Sequence, residues 1–146
     1  MDLDFRIDGA RDFDDAVEKL GARKARSVLS RALNQSTQPV VSEARRMADA
    51  NVGRQSGEGR KNIKKRTLKK GERNALGLDL ASMVYLDERG FHLRFWELGF
   101  TRDGQHFAAR PWLRPAADSQ QGAVIRRFGQ RATAILRREL EKKAQK

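Results

Sequence analysis

A chain of 146 residues, 34% charged and 38% hydrophobic, has material for one modest domain, and its lean apolar content predicts that part of it orders only against a partner. A formal net charge of +12 favours a polyanionic or acidic partner. Zero cysteines exclude disulfides and thiolate metal sites, and no apolar run of about 18 residues exists to form a membrane span.

In chain order, Asp2 to Ile7 alternates, with Leu3, Phe5 and Ile7 on one side and acids and Arg6 on the other. Period two predicts a short strand ended by Gly9. This acidic start lacks the basic and apolar regions of a signal peptide, so the chain is expected to be soluble and made in the cytoplasm. Asp12 is placed to cap a short helix bearing Phe13, Val17 and Leu20, which either closes at Gly21 or runs on through it. From Ala22 the pattern is helical: Ala25, Val28, Leu29, Ala32 and Leu33 form one stripe, and Val40, Val41, Ala44, Met47 and Ala48 resume it. Pro39 interrupts, because it has no amide hydrogen and disfavours helix at Gln38. The reading is one long helix kinked at Pro39, or two packed in sequence, ending near Asn51.

Residues 53–75 hold four glycines and nine bases, with Ile63 and Leu68 as the large apolar residues. This composition predicts a basic flexible arm or long loop. Leu78 to Leu86 suits a strand and Asp87-Glu88-Arg89-Gly90 a turn. Phe91 to Leu98 reads as a second strand or an extended-to-helical bend. Asp103-Gly104 is a hairpin signal, after which Ala108 to Trp112 would continue the sheet. Ala116 to about Lys142 is an amphipathic helix, its seam built on Val124, Phe128, Ala132, Ile135, Leu136 and Leu140, with Arg126, Arg127, Arg131, Arg137 and Arg138 crowding the remaining surface. Together these predict a single α+β domain spanning 1–146. A small, mainly antiparallel sheet from about 78–112 would pack against a long kinked N-terminal helix and a C-terminal amphipathic helix.

Catalytic signals are weak. His92 and His106 sit in no metal-ligand spacing, and no local partner sets a tautomer or pKa for either. Ser56-Gly57-Glu58-Gly59-Arg60 is glycine-rich but lacks the spacing of a phosphate loop. Glu97, among Phe95, Trp96 and Leu98, reads as a buried carboxylate paired with Arg94 or Arg110, without the second acid or metal that catalysis needs. No catalytic residue, metal site or cofactor is expected. The run Arg60 to Lys70 carries more weight. Arg60, Lys61, Lys64, Lys65, Arg66, Lys69 and Lys70 could each meet a phosphate and release counterions. No aromatics interleave with them, so the contact would be nonspecific, and docking on an acidic neighbouring subunit suits the same residues. Charge is also uneven along the chain: residues 1–20 carry seven acids and three bases, residues 21–75 fifteen bases and four acids. Such asymmetry suits head-to-tail subunit contacts, or simply a solvated surface.

One stretch is recognisable. Phe95-Trp96-Glu97-Leu98-Gly99, followed by His106-Phe107-Ala108-Ala109-Arg110-Pro111-Trp112-Leu113-Arg114-Pro115-Ala116, resembles the tail-component family of lambda-like siphophages, the head–tail joining or tail-completion proteins. That family shows an aromatic-rich segment ending in Glu-aromatic-Gly-Thr, a short variable loop, and a Pro-Phe-Leu-Arg-Pro-Ala corner leading into a C-terminal helix. Glu97 and Gly99 match, with Leu98 for the aromatic and Phe100-Thr101 for the direct Gly-Thr. Pro111, Trp112, Leu113, Arg114, Pro115 and Ala116 match with Trp for Phe. Ala32-Leu33 and Ala44-Arg45-Arg46 fit the family's N-terminal helix. The usual Pro-x-x-Thr-Gly segment is replaced by Ser56-Gly57 and the basic run. The lambda minor tail protein Z type, which also has a basic central loop after a helix, is similar, and the motif does not separate the two groups.

In this corner two prolines would lock the backbone, Trp112 and Leu113 would be buried anchors, and Arg114 could pair with a carboxylate such as Glu97. The resemblance implies a structural virion protein, a neck subunit at the head–tail junction. It would form a homo-oligomeric, hexameric ring touching the head-completion proteins, the tail terminator and the tail tube, with nonspecific contact to phage DNA and none to membrane. The 53–75 arm would be disordered in the free monomer and would order on a neighbour or face the DNA channel. The alternative from another class is a nonspecific nucleic-acid-binding accessory protein.

Overall fold

The structure, a computed structural model, describes residue 14, residues 17–53 and residues 58–146. The strand expected at Asp2 to Ile7, and the cap expected at Asp12, lie outside the described residues. Residues 17–20 are helical and stop at Gly21, whose φ of 84° suits glycine. The Gly21 amide donates to the carbonyls of Val17 (3.1 Å) and Glu18 (3.2 Å), closing that turn.

The long N-terminal helix is bent, as expected. Helix α1 (Ala22–Ser36) passes through Thr37 into α2 (Gln38–Asn51). Pro39 follows the break closely, having no amide to extend the ladder. The hydroxyls of Ser36 and Thr37 donate back to the carbonyls of Leu33 and Asn34, each at 2.7 Å, serving acceptors that the interrupted ladder leaves open. The buried stripe runs through Ala25, Val28 and Ala32 in α1 and Val40, Val41, Ala44 and Ala48 in α2.

The 53–75 arm is corrected over residues 58–75. It contains α3 (Glu58–Lys61), β1 (Ile63–Thr67) and the start of α4 (Lys70–Leu76). Its two large apolar residues are both buried, Ile63 at 0% and Leu68 at 7% exposure, together with Gly59 and Asn62. Of the lysines between Ile63 and Leu68, Lys64 keeps its charged head outward, whereas Lys65 is half-buried against the body. Strand β1 is anchored by Arg45, which donates to the Ile63 carbonyl (2.9 Å), and by Lys65, which donates to the Asn34 carbonyl (2.8 Å). Helix α4 ends in a left-handed Gly77, φ 67°, with the Leu78 amide reaching back to the Arg73 carbonyl at 2.9 Å.

Strand β2 (Ser82–Leu86) pairs antiparallel with β1, Ile63 opposite Leu86 and Thr67 opposite Ser82. The expected single sheet over 78–112 is therefore two separate two-stranded sheets, and one strand of the first comes from the basic run. The Asp87 turn is a 3-10 turn over Glu88–Gly90, with the Asp87 carboxylate accepting the Glu88 amide at 2.8 Å. Phe91 to Leu98 resolves as a helix, α5 (His92–Leu98). Next comes the hairpin of β3 (Phe100–Arg102) and β4 (Gln105–Phe107). It turns on Asp103 and Gly104, both at positive φ as a tight hairpin requires. Residues 108–112 do not continue this sheet. They carry the chain into α6 (Leu113–Ala144), antiparallel to the bent helix, so that Asn51 meets Pro111 at one end and Lys24 meets Glu139 at the other.

Alanines let these helices approach closely. Ala44, Ala48, Ala116 and Val41 cluster with Ile63, Leu93 and Trp112 at one end, while Ala25, Val28, Ala32, Ala132 and Leu136 are buried along α1 and α6. Helix α6 changes its buried face on the way. At about 100° per residue, the buried Ala116 and the buried Ala132 lie about 160° apart around the axis. Among the described residues, no helix is long and apolar enough to cross a membrane.

Candidate functional site

The two halves of the recognisable motif meet in space. Gly99, φ 75°, turns the chain out of α5. A Cβ there would stand 3.0 Å from the Ala109 nitrogen and 3.1 Å from the Phe107 carbonyl oxygen, so glycine is required for both conformation and space. After the hairpin the chain returns alongside α5. The Arg110 amide donates to the Trp96 carbonyl (2.7 Å) and the Arg110 guanidinium lies over the Trp96 ring, 5.1 Å from its centroid. Asn51, at the end of α2, donates to the Pro111 carbonyl (2.8 Å) and fixes the corner from the other side.

Glu97 is the centre of this arrangement. Its Oε2 accepts the amides of Trp112 (2.6 Å) and Leu113 (2.9 Å), and its Oε1 accepts that of Arg114 (3.0 Å). A helix begins with four amides that have no carbonyl four residues back. Here Glu97 takes three of them and Pro115, in the fourth position, has no amide hydrogen to satisfy. The negative charge also faces the positive end of the α6 dipole. Trp112 is buried, and its indole Nε1 donates to the Leu93 carbonyl at 2.8 Å. Leu113 is half-buried, and Ala116, fully buried, allows α2 to approach. The expectation that Arg114 pairs with Glu97 through its side chain is corrected: the contact uses the backbone amide, and the guanidinium is exposed. Neither Arg94 nor Arg110 forms an ion pair with Glu97 among the described residues; Arg110 stacks on Trp96 instead.

Aromatic rings crowd the outer side of the corner. Phe100 stacks on Phe107 (centroids 4.7 Å), Trp96 meets Phe100 edge-on (4.9 Å), and Phe95 touches both Phe91 and Phe100. Beside them lies a groove of about 700 Å³ between α2 and α5, floored by Ala48, Val52, Leu93 and Trp96. His92 lies on the groove and His106 on the hairpin, both exposed. Among the described residues, no group of three acids or histidines is placed to hold a metal ion.

The basic run is largely engaged internally. Arg60 pairs with Asp49 (2.9 Å), Lys64 with Asp87 (2.7 Å), and Arg66 holds Glu72 through both oxygens (2.8 and 2.6 Å). Hydrogen bonding to Arg66, with the Lys69 amide adding to it, holds the Glu72 carboxyl at about 2. Lys64 likewise lowers Asp87 and is itself raised. Burial, with Arg131 nearby, pushes the Lys65 ammonium down. Lys61, Lys69 and Lys70 remain exposed. The acids that neutralise this run, Asp49, Glu72 and Asp87, were not singled out in the sequence; only Glu72 lies close enough in the chain to suggest itself.

No protein-family model, known protein or solved structure matches the chain.

Proposed function

We propose that this chain is a structural subunit of a long-tailed bacteriophage virion, a tail-completion or head–tail joining protein at the head-proximal end of the tail. It acts there as a ring of identical copies, six in the simplest arrangement, between head-completion proteins on one side and the tail terminator and tube on the other. One observation carries this reading: Glu97 and the Trp112-Leu113-Arg114 amides form a single cap, so the two separated parts of the family-like motif are one structural unit. A motif that builds its own helix start has a physical reason to occur as a pair.

Assembly is supported by the outer face of α5. Phe91, Phe95 and Leu98 follow one another at helical spacing and are 62%, 49% and 72% exposed. Three large apolar residues in one exposed stripe mark an interaction surface. A closed ring brings two different surfaces of each subunit together, and this stripe supplies one of them.

The test is electron microscopy of virions carrying a tagged copy of the chain in place of the original. Label at one site per particle, where head meets tail, is the expected result. Virions without label, from cells that make the tagged chain, would overturn the assignment.

A further inference from the structure

Arg126, Arg127, Arg131, Arg137 and Arg138 are all exposed along the middle and C-terminal part of α6. Among the described residues, none of the five has a side-chain hydrogen bond or ion-pair partner. At 3.6 residues per turn they fall within an arc of about 140°, and they span about 18 Å of helix axis. Glu141 is the acid that shares this arc, beyond the last arginine. The contrast with the basic run is direct, since Arg60, Lys64 and Arg66 are each matched to a carboxylate there.

We infer that this face of α6 binds the phosphate backbone of duplex DNA without reading its bases. The helix is a stiff rod carrying guanidinium groups at fixed intervals, and a duplex is a stiff rod of phosphates. About 18 Å of duplex presents about ten phosphate charges, enough for five arginines to be matched at once. The planar fork of arginine suits phosphate oxygens in pairs. Single-stranded nucleic acid would call for rings on which bases stack, and the one aromatic residue of α6, Phe128, is half-buried on the opposite side. The positive field of the face also reaches the body, where Arg131 adds to the burial that disfavours a charge on Lys65. A polyanion relieves that mutual repulsion. The inference stands whether or not the chain is a virion component.

The experiment is fluorescence anisotropy of the whole chain with a labelled duplex of random sequence. Log affinity against log salt is expected to slope at about −4 to −5, a loss of roughly 500-fold between about 50 and about 200 mM. The variant Arg127→Gln, Arg131→Gln, Arg138→Gln, checked for unchanged helix content by circular dichroism, is expected to flatten the slope by about three. The charge-matched variant Lys61→Gln, Lys69→Gln, Lys70→Gln is expected to stay within about one of the original slope. Equal losses in the two variants would show a response to bulk charge and overturn the assignment to α6. So would no binding at the lowest salt, tighter binding of a single strand of equal length, or displacement of the duplex by polyglutamate at equal charge, the last indicating an acidic protein partner instead.

Discussion

Glu97 accepts the amide of Trp112 at 2.6 Å across 15 residues of chain, and through that contact the end of one short helix determines where the longest helix begins. Replacing Glu97 with Ala leaves three amides of the first turn without their acceptor. The expected loss is about 2 to 3 kcal/mol of unfolding free energy, and about 1 for Glu97→Gln, which keeps one acceptor oxygen. Urea titration followed by circular dichroism separates the two.

Gly99→Ala forces a side chain into positive φ and against the backbone of Phe107 and Ala109. A cost of about 1 to 3 kcal/mol is expected, visible as a lower urea midpoint. Gly104→Ala is the comparison, because its position has positive φ but open space around it, and a smaller loss is expected there.

The Arg66–Glu72 pair gives stability a pH dependence. The Glu72 carboxyl is held at about 2, below its ordinary 4.5, so the folded state binds that proton less readily than the unfolded chain. Its contribution is fully present above about pH 4.5 and is lost as the pH falls towards about 2. Stability measured across this window should fall less steeply in Glu72→Gln than in the original chain, and 1 M salt should weaken the difference because the pair is partly exposed.

Strand β1 makes the former arm part of the body. The amides of Lys64 and Arg66, in phase with the bonds to β2, are expected to exchange slowly in the isolated protein, and Ile63→Ala, removing a fully buried side chain, to cost about 2 to 5 kcal/mol. Fast exchange throughout 63–67 would return the segment to the mobile arm that its composition suggests.

The exposed stripe on α5 makes the opposite forecast. Phe91→Ser and Leu98→Ser together should lower the denaturation midpoint of the monomer only slightly, since these two side chains lie mostly outward. Sedimentation velocity is expected to find the original chain assembled, as the proposed ring requires, and that variant monomeric.

What could be read in the residues follows their chemistry. The stripes of α1, α2 and α6, the Asp103-Gly104 hairpin and the corner at Pro111 to Ala116 were legible because each has a local signal of period, turn residue or proline. Strand β1 was not, since Lys64, Lys65 and Arg66 look solvated when their partners are unknown. Those partners are distant, Asp87 lying 23 residues from Lys64 and Asn34 lying 31 from Lys65. Helix α5 was ambiguous for another reason. Leu93 and Trp96 face in while Phe91, Phe95 and Leu98 face out, so both sides are apolar and the helical period is hidden. At the candidate site the residues of the corner were legible, whereas the way Glu97 uses them was not, because a carboxylate invites an arginine and here it holds backbone.

The changing contact face of α6 has a consequence for length. Ala116 and Ala132 must both be presented to their neighbours, and the spacing between them fixes the phase of one against the other. Inserting or deleting one residue near Gly122 would turn the downstream half by about 100°, carrying arginines towards α1 and withdrawing Ala132 and Leu136 from it. The hairpin at Asp103 and Gly104 is under no such constraint, since its tip is exposed and a side chain at Gly104 would meet open space. Tags and added loops therefore belong at the hairpin, and α6 should be kept at its native count of residues.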